Sequence, residues 1–242
     1  MSNAIVIIPT YNEKENVERM IRKVFSLALP LHILIVDDNS PDGTRTIVKK
    51  LQEEFPQLYM LERAGKQGLG TAYIAGFKWC LQKEYRFIFE MDCDFSHNPD
   101  DLIQLYETAN NEPADMVIGS RYVNGVNVVN WPMSRVILSY YASMYVRIIT
   151  GMSIRDTTSG FACYKREVLE KLNLDAIKFK GYAFQIEMKF KTWCLGYKIK
   201  EVSIIFTDRK EGQSKMSGGI IKEALFGVLE LKIKRVLGVL TI

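Results

Sequence analysis

Cysteine and histidine are scarce in this sequence. Among 242 residues there are four cysteines and two histidines. The cysteines stand far apart without a Cys-x-x-Cys pair, which argues against a structural zinc site or a disulfide scaffold and favours reduced thiols in the cytoplasm. His32 starts an apolar run and is expected to be structural. Because a Gly-x-Ser-x-Gly segment is missing as well, the pattern argues against a Ser-His-Asp hydrolase.

Long apolar segments are also missing. The first apolar run, residues 5–8, is followed at once by Pro9 and is far too short for the core of a signal peptide. No segment contains the roughly 20 apolar residues that a membrane-spanning helix needs. A net charge of +4 is too mild for a dedicated nucleic-acid binder. These absences predict a cytoplasmic protein that neither spans a membrane nor binds nucleic acid.

Hydrophobic residues make up 48% of the chain, which is enough for a sizeable core. Predicted strands and helices alternate, and this indicates a single α/β domain with a mainly parallel sheet and helices on both faces. The predicted strands cover residues 4–8, 33–36, 58–61, 87–91, 116–118, 161–164 and 202–206. The predicted helices begin at a capping box of Asn12 and Glu15, at Ser40-Pro41 and at Asn98-Pro99, and cover residues 70–81, 134–150 and 183–195.

Two carboxylates follow the fourth predicted strand. Asp92 and Asp94 are one residue apart, so they point the same way while the chain stays extended. Hard oxygen ligands at the carboxyl end of a strand suit Mg²⁺ or Mn²⁺, which in turn holds a diphosphate. An Asp-x-Asp pattern alone is weak, because two acidic residues after a strand are often only a solvated turn.

The two commonest phosphate-binding loops are absent. A dinucleotide-binding sheet would carry Gly-x-Gly-x-x-Gly after its first strand, but residues 9–13 read Pro-Thr-Tyr-Asn-Glu, and no Walker A pattern occurs. A diphosphate would therefore have to be met by metal and by basic side chains. Polar clusters follow three strands, at residues 11–13, 37–38 and 92–94, and in a parallel sheet these ends lie on one edge. Together they favour a nucleotide site there.

Six short motifs occur in order along the chain. They are residues 9–13, Val-Asp-Asp-Asn-Ser-Pro-Asp-Gly at 36–43, Gly-Leu-Gly-Thr-Ala at 68–72, Met-Asp-Cys-Asp-Phe-Ser-His-Asn-Pro at 91–99, Gly-Ser-Arg-Tyr at 119–122 and Ser-Gly-Phe at 159–161. This ordered set resembles the family 2 glycosyltransferases of the GT-A (Rossmann-like) fold. Within them it resembles the dolichyl- and polyprenyl-phosphate mannosyltransferases, and the similarity extends through Arg209 and Ser214-Lys215.

The resemblance implies inverting transfer of mannose from GDP-mannose to a dolichyl or polyprenyl monophosphate, with Mg²⁺ or Mn²⁺ as cofactor. It implies a catalytic domain at residues 1–217. It assigns the metal to Asp92 and Asp94, with Asp94 the main ligand. Arg135 would meet the acceptor phosphate. The residues assigned to the donor are Pro9, Tyr11, Glu13, Val36, Asp38, Asp92, Cys93, Asp94, Ser96, Arg121, Arg209 and Lys215.

Asp94, Arg121 and Asp156 are the predicted catalytic residues. A phosphate monoester has a second pKa near ~6 and is largely ionised at neutral pH, so it needs little help from a general base. Asp156 is the best candidate if a base is used. Cys93 departs from the family pattern, where a small residue such as alanine is usual, and it is expected to leave activity intact. Some relatives continue into transmembrane helices, and this chain resembles the branch without them.

Alternatives remain open at this level. The same scaffold suits a polyprenyl-phosphate glucosyltransferase that uses UDP-glucose, a glycosyltransferase with a sugar acceptor, or a catalytically inactive binding relative at a membrane surface. The helix at residues 134–150 is apolar over most of its surface, which fits either a membrane-interface helix or an ordinary buried helix. Residues 218–242 are expected to form an amphipathic helix that binds anionic lipid or a small membrane protein. The predicted location is thus peripheral, at the cytoplasmic face of a membrane.

Overall fold

A computed structural model describes residues 3–208 and 218–242. Strands and helices alternate through most of the chain. The strands are β1 (Ala4–Thr10), β2 (Leu31–Asp37), β3 (Leu58–Glu62), β4 (Phe87–Glu90), β5 (Met116–Ser120), β6 (Val128–Val129), β7 (Ala162–Lys165), β8 (Ile199–Ser203) and β9 (Phe206–Thr207). The helices are α1 (Val17–Phe25), α2 (Thr44–Glu54), α3 (Leu69–Leu81), α4 (Asp101–Asn111), α5 (Met133–Thr150), α6 (Arg166–Lys171), α7 (Tyr182–Cys194) and α8 (Gly218–Val236).

The central sheet has seven strands in the order β3-β2-β1-β4-β7-β5-β8. Strand β7 runs antiparallel to both of its neighbours, and the other pairings in this sheet are parallel. The mainly parallel sheet predicted from the sequence is therefore confirmed. Because β1, β2 and β4 are parallel neighbours, the segments that follow them meet at one edge of the sheet. Strands β6 and β9 form a separate two-stranded sheet.

Helices cover both faces of the sheet, as predicted. Alternate residues of β1 belong to different hydrophobic clusters: Ile5 and Ile7 to one, Val6 and Ile8 to the other. The first cluster also contains residues of α3, α5, α6, α7 and α8, and the second contains residues of α1, α2 and α4. A strand that is buried on both faces reads as a continuous apolar run, which explains the composition of residues 4–8.

Several helix starts differ from the sequence predictions. Asn12 does not cap α1; it has a left-handed backbone with φ 58°, and the helix begins at Val17. Helix α2 begins at Thr44 rather than at Ser40-Pro41, because the Asp42 carboxylate accepts hydrogen bonds from the Thr44 backbone N–H (3.0 Å) and hydroxyl (2.7 Å). Helix α4 begins at Asp101, after a turn at Asn98-Pro99. Helix α6 and strands β6 and β9 were not predicted.

The last helix packs against the body of the protein. Val228 and Leu231 of α8 are buried, and the Tyr145 hydroxyl of α5 donates to the Leu225 carbonyl at 3.0 Å. Gly227 lies so close to Phe179 that a β-carbon there would be 2.6 Å from the ring, so only glycine permits this approach. The assignment of residues 218–242 as a separate amphipathic segment stays a prediction. Across the described residues, none of the helices has both the length and the apolar character required to cross a membrane.

Candidate functional site

A cavity of about 390 Å³ opens at the edge where β1, β2 and β4 end. Its walls come from the segments after these strands, from the start of α3, from the loop before β7 and from the start of α7. The lining residues are Pro9, Thr10, Tyr11, Glu13, Asp38, Lys66, Gly68, Leu69, Ala72, Asp92, Cys93, Asp94, Thr158, Gly160, Lys180, Gly181 and Gln185. This is the position at which open α/β sheets bind their ligands.

Asp92 and Asp94 both line this cavity. Strand β4 ends at Glu90, earlier than predicted, so strand alternation is not what brings the two carboxylates together. A tight loop does so instead, with Phe95 in a left-handed conformation at φ 59°. The Ser96 backbone N–H donates to Asp94 Oδ1 at 3.0 Å, and the Tyr73 hydroxyl donates to Asp92 Oδ1 at 3.3 Å.

The carboxylate pair suits a divalent cation held jointly with a ligand. Among residues 3–208 and 218–242, no group of three or more His, Cys, Asp or Glu side chains could hold a metal alone. Mg²⁺ is usually bound by one or two carboxylates plus substrate phosphates and water, so two aspartates on the wall of a cavity fit that chemistry. The residues present therefore fit a metal that arrives with a diphosphate.

His97 supports this loop from behind. Its ring is buried, stacks on Phe161 with centroids 4.9 Å apart, and accepts from the Asp92 backbone N–H at 3.4 Å through Nδ1. Burial lowers the pKa of His97 to about 4 against the opposing effect of Asp94, so the imidazole is neutral at physiological pH. His97 is therefore a packed support for the aspartate loop.

At the other end of the cavity are the residues assigned to the nucleoside. Tyr11 faces the cavity, and the Lys66 amine lies 4.8 Å from its ring centroid. Asp38 pairs with Arg63 at 2.7 Å. Burial raises the pKa of Asp38, and the Arg63 charge opposes this increase. Asp37, next to it, has a structural role, since it accepts hydrogen bonds from the Thr10 and Ser40 hydroxyls at 2.9 and 2.6 Å.

Three of the described residues assigned to the donor are not on the cavity wall: Val36, Ser96 and Arg121. The Val36 side chain is fully buried in the hydrophobic core beneath the sheet edge, so it is in no position to touch a ligand. Ser96 is also buried, and its contribution is the backbone N–H that holds Asp94. Arg209 and Lys215 lie outside the described residues.

Arg121 forms a buried ion pair with Asp156. Its Nε and Nη2 atoms donate to the two carboxylate oxygens at 2.7 and 2.6 Å, and its backbone N–H donates to the same carboxylate at 2.9 Å. Arg121 Nη2 also donates to the Thr158 hydroxyl at 2.8 Å, and Thr158 lines the cavity. The guanidinium carbon lies 5.5 Å from the ring centroids of both Trp131 and Phe206. Arg121 is thus held behind the cavity wall.

This geometry does not support Asp156 as a general base. The carboxylate is fully buried, and both of its oxygens accept from Arg121. Burial by itself would raise the pKa of Asp156, but the charge and hydrogen bonds of Arg121 outweigh burial and lower it. A base with a lowered pKa and no access to solvent is a poor proton acceptor. We infer that Asp156 instead fixes the position of Arg121.

A second cavity, of about 450 Å³, also has Asp94 in its wall. Arg19, Phe95 and Asp208 are among its lining residues, and Asp94 belongs to both cavities. Arg135, at the start of α5, donates to Asp208 at 2.9 Å and stacks 4.0 Å from the Trp131 ring centroid. The predicted acceptor residue therefore contacts Asp208, which lines a cavity that also reaches Asp94.

Comparisons with known proteins show the family to which the chain belongs. The family described as Glycosyl transferase family 2 matches residues 5–173. The chain belongs to this family. Polyprenol monophosphomannose synthase of Mycolicibacterium smegmatis is 46% identical over 231 residues, which are 95% of this chain and 87% of the relative. Undecaprenyl-phosphate mannosyltransferase of Micrococcus luteus is 45% identical over 224 residues, covering 93% and 91%.

Solved structures agree with the GT-A fold predicted from the sequence. The mannosyltransferase PcManGT of Pyrobaculum calidifontis, solved with GDP-Man and Mn²⁺, has a TM-score of 0.61 at 17% identity; the match covers 98% of this chain but only 64% of that one. Glucosyl-3-phosphoglycerate synthase of Mycobacterium tuberculosis, solved with Mn²⁺, UDP and glucosyl-3-phosphoglycerate, has a TM-score of 0.68 at 15% identity and covers 99% and 81%. At these identities the likeness concerns the fold alone.

Several cavity residues were missed by sequence reasoning. They are Lys66, Thr158, Lys180 and Gln185, together with Arg63, which neutralises Asp38. Without a phosphate-binding loop, the sequence predicted that basic side chains would meet the diphosphate, and Lys66 and Lys180 are of that kind. Surface lysines are too common in sequences for these two to be identified in advance. Gln185 lies within a helix whose polar residues include buried ones, so no periodic pattern marks it.

Proposed function

We propose that this protein transfers mannose, with inversion, from GDP-mannose to a polyprenyl monophosphate. The observation that carries the proposal is the pair of relatives at 46% and 45% identity, both covering more than nine-tenths of this chain, whose names describe mannosyl transfer to a polyprenyl phosphate. The cavity fits that substrate class, because the residues proposed to contact the nucleoside, the carboxylate pair and a further polar wall lie along a single sheet edge.

The donor would lie along the edge in the order of the strands. Tyr11, Glu13 and Asp38 follow β1 and β2 and would contact the nucleoside. Asp92 and Asp94 follow β4 and would hold Mg²⁺ or Mn²⁺ against the diphosphate, with Asp94 the main ligand. When bound, the cation would offset the negative charge that develops on the leaving diphosphate. We propose that Arg209 and Lys215 also face the donor.

The acceptor would approach Asp94 from the second cavity. Arg135 would exchange its ion pair with Asp208 for the lipid phosphate, since a guanidinium binds both carboxylate and phosphate oxygens well. The phosphate is already ionised at neutral pH, so positioning and charge stabilisation would supply most of the rate acceleration. Arg121, fixed by Asp156, would stabilise charge from behind the Thr158 wall.

A lipid-borne acceptor has to be met at a membrane surface. Helices α5 and α8 pack together and expose many large apolar side chains, including Ile148 at 71% and Phe226 at 70% exposure. Only Ser143, Val146 and Thr150 of α5 are buried, so the alternative of an ordinary buried helix is ruled out for it. Exposed apolar patches of this kind mark interaction surfaces. We propose that this α5–α8 face lies on the cytoplasmic surface of a bilayer.

The donor assignment predicts a clear result in a transfer assay. Purified protein given a short polyprenyl phosphate should transfer labelled mannose from GDP-mannose, and should do so only with Mn²⁺ or Mg²⁺ present. Chelation of the metal should remove at least about 99% of the rate. UDP-glucose serves as the matched alternative donor, and a free sugar as the alternative acceptor. Preference for UDP-glucose would refute the donor assignment, and binding without turnover would indicate an inactive relative.

The membrane assignment predicts that changes on the exposed face alone weaken lipid binding. Phe226→Ser together with Ile148→Ser should lower co-sedimentation with anionic liposomes about tenfold or more, since each removes a large apolar side chain from the interface. Leu195→Ser, at a partly exposed leucine outside both helices, is the matched control and should bind normally. Unchanged sedimentation of the double variant would count against a bilayer contact and favour a protein partner.

A further inference from the structure

Gln185 joins a buried polar chain to the donor cavity. Its side chain lines that cavity yet the residue is only 3% exposed. Its Nε2 donates to Glu90 Oε2 at 2.8 Å, and its Oε1 accepts from Lys189 Nζ at 3.1 Å. Glu90 and Lys189 are both fully buried, and neither lines the cavity. The Gln185 amide, which lines the cavity, is therefore hydrogen-bonded through its nitrogen and its oxygen to two charged groups that lie behind the cavity wall.

These two contacts fix the orientation of the Gln185 amide. Burial raises the pKa of Glu90 and lowers that of Lys189, and their mutual attraction opposes both shifts and favours the charged pair. In that pair the carboxylate only accepts hydrogen bonds and the ammonium only donates them. A flipped amide would set its oxygen against Glu90 and its NH₂ against Lys189, so both contacts would become repulsive. Burial makes such unpaired contacts costly. Lys189 is itself positioned, because Nζ also donates to the Ser159 carbonyl at 2.7 Å, in the loop that carries Gly160.

The fixed orientation leaves one N–H of Gln185 available. An amide NH₂ has two hydrogens, and one of them is used by Glu90. No second acceptor for Nε2 occurs in the part of the chain that the structure describes. The Nε2 atom lies beside Gly160, where an added β-carbon would be 3.6 Å away, and both residues line the cavity.

The strand order locates this N–H relative to the donor. The sheet runs β2-β1-β4-β7, and Gly160 lies just before β7. The nucleoside residues follow β2 and β1 and the aspartates follow β4. A donor laid along this edge would thus have its sugar beside Gly160 and Gln185, beyond the diphosphate.

We propose that Gln185 binds a hydroxyl of the donor sugar through its free N–H, and that Glu90 and Lys189 are positioning residues that hold the amide in the donating orientation. This inference rests on the proposed function, because it needs a sugar nucleotide in the cavity. It makes Gln185 a sugar-recognition residue, distinct from the nucleoside and metal residues.

The test compares the same nucleotide with and without its sugar. Gln185→Met keeps the length of the side chain and removes the N–H. With Mn²⁺ present, its dissociation constant for GDP-mannose, measured by calorimetry, should rise about tenfold, as expected for one lost hydrogen bond in a buried site. Its affinity for GDP should stay within about twofold of the wild type. Equal weakening of both ligands, or of neither, would overturn the proposal.

A second variant covers the case in which Gln185→Met does not fold. Glu90→Gln combined with Lys189→Met removes both buried charges together, so no lone charge is left in the core. The Gln185 amide then loses its fixed orientation, and GDP-mannose affinity should fall about threefold or more while GDP affinity is kept. Full affinity for GDP-mannose in this variant would refute the positioning role. Gln104→Met, the same change on the exposed side of α4, is the control.

Failure of the proposed function is distinguishable from failure of this inference. A wild-type protein that binds UDP-glucose in preference to GDP-mannose would refute the donor assignment only. The Gln185 comparison would then be made with UDP-glucose against UDP, and a loss confined to the sugar nucleotide would still support sugar recognition.

Discussion

Asp94→Ala is expected to lower mannosyl transfer by about a thousandfold or more and to leave the protein folded. Asp94 is only 9% exposed, faces the donor cavity and also borders the second cavity, so it lies at the junction where donor and acceptor would meet. If Asp94 is the main metal ligand, as proposed, its loss would remove the charge stabilisation of the leaving diphosphate, which is usually the largest single contribution in such a site.

The variant series separates the charge of Asp94 from its role in the loop. Asp94→Asn keeps an oxygen that can accept from the Ser96 N–H, so it preserves the local hydrogen bond while removing the carboxylate charge. It should be as inactive as Asp94→Ala and as stable as the wild type in thermal unfolding. Asp175→Ala, at an exposed aspartate, is the control for removal of an acidic residue. Near-normal turnover by a well-folded Asp94→Ala variant would refute the assignment of Asp94 as the main metal ligand.

Asp156→Asn is expected to have the largest effect on stability. It removes one partner of a buried ion pair and leaves the Arg121 charge inside the protein, a change that typically costs about 3–5 kcal/mol of unfolding free energy. Urea unfolding followed by circular dichroism would measure this loss. Transfer should fall as well, because Arg121 would no longer be held against Thr158.

The same variant decides between the two roles of Asp156. A general base would give a variant of normal stability with a slower rate, whereas a positioning residue gives both losses together. Asp175→Asn, in an exposed ion pair, should change stability by less than about 1 kcal/mol. Restoration of most of the stability by Arg121→Met in the Asp156→Asn background would support the ion pair as the cause. An Asp156→Asn protein of normal stability would contradict the positioning role of Asp156.

The ion pair also gives stability a defined pH dependence. The pKa of Asp156 is lowered in the folded protein, so its contribution is fully present above the unfolded pKa of about 3.9 and is lost as the pH falls through the lower folded value. Arg121 stays protonated throughout this range. The wild type should therefore lose stability below about pH 4 more steeply than Asp156→Asn does.

The fold was predictable from sequence because its signals are local. Residues 4–8 and 33–36 read as buried strands, and the helices between strands repeat apolar residues at helical spacing. Helix starts were less predictable. The first turn of α2 depends on Asp42, whose carboxylate holds Thr44, and a Ser-Pro pair two residues earlier gave a competing signal. The small β6–β9 sheet joins segments far apart in sequence, so no local pattern predicted it.

The sequence by itself determined the α/β class, the motif order, and the residues after β1, β2 and β4 that line the proposed donor cavity. These follow from apolar periodicity and from the rule that parallel strand ends share an edge. Only the tertiary structure showed that Asp37 supports the fold while Asp38 lines the cavity. It also buried Val36, paired Asp156 with Arg121 and brought Gln185 into the cavity. Each of these depends on contacts between residues distant along the chain, and such contacts leave no spacing in the sequence from which they could be predicted.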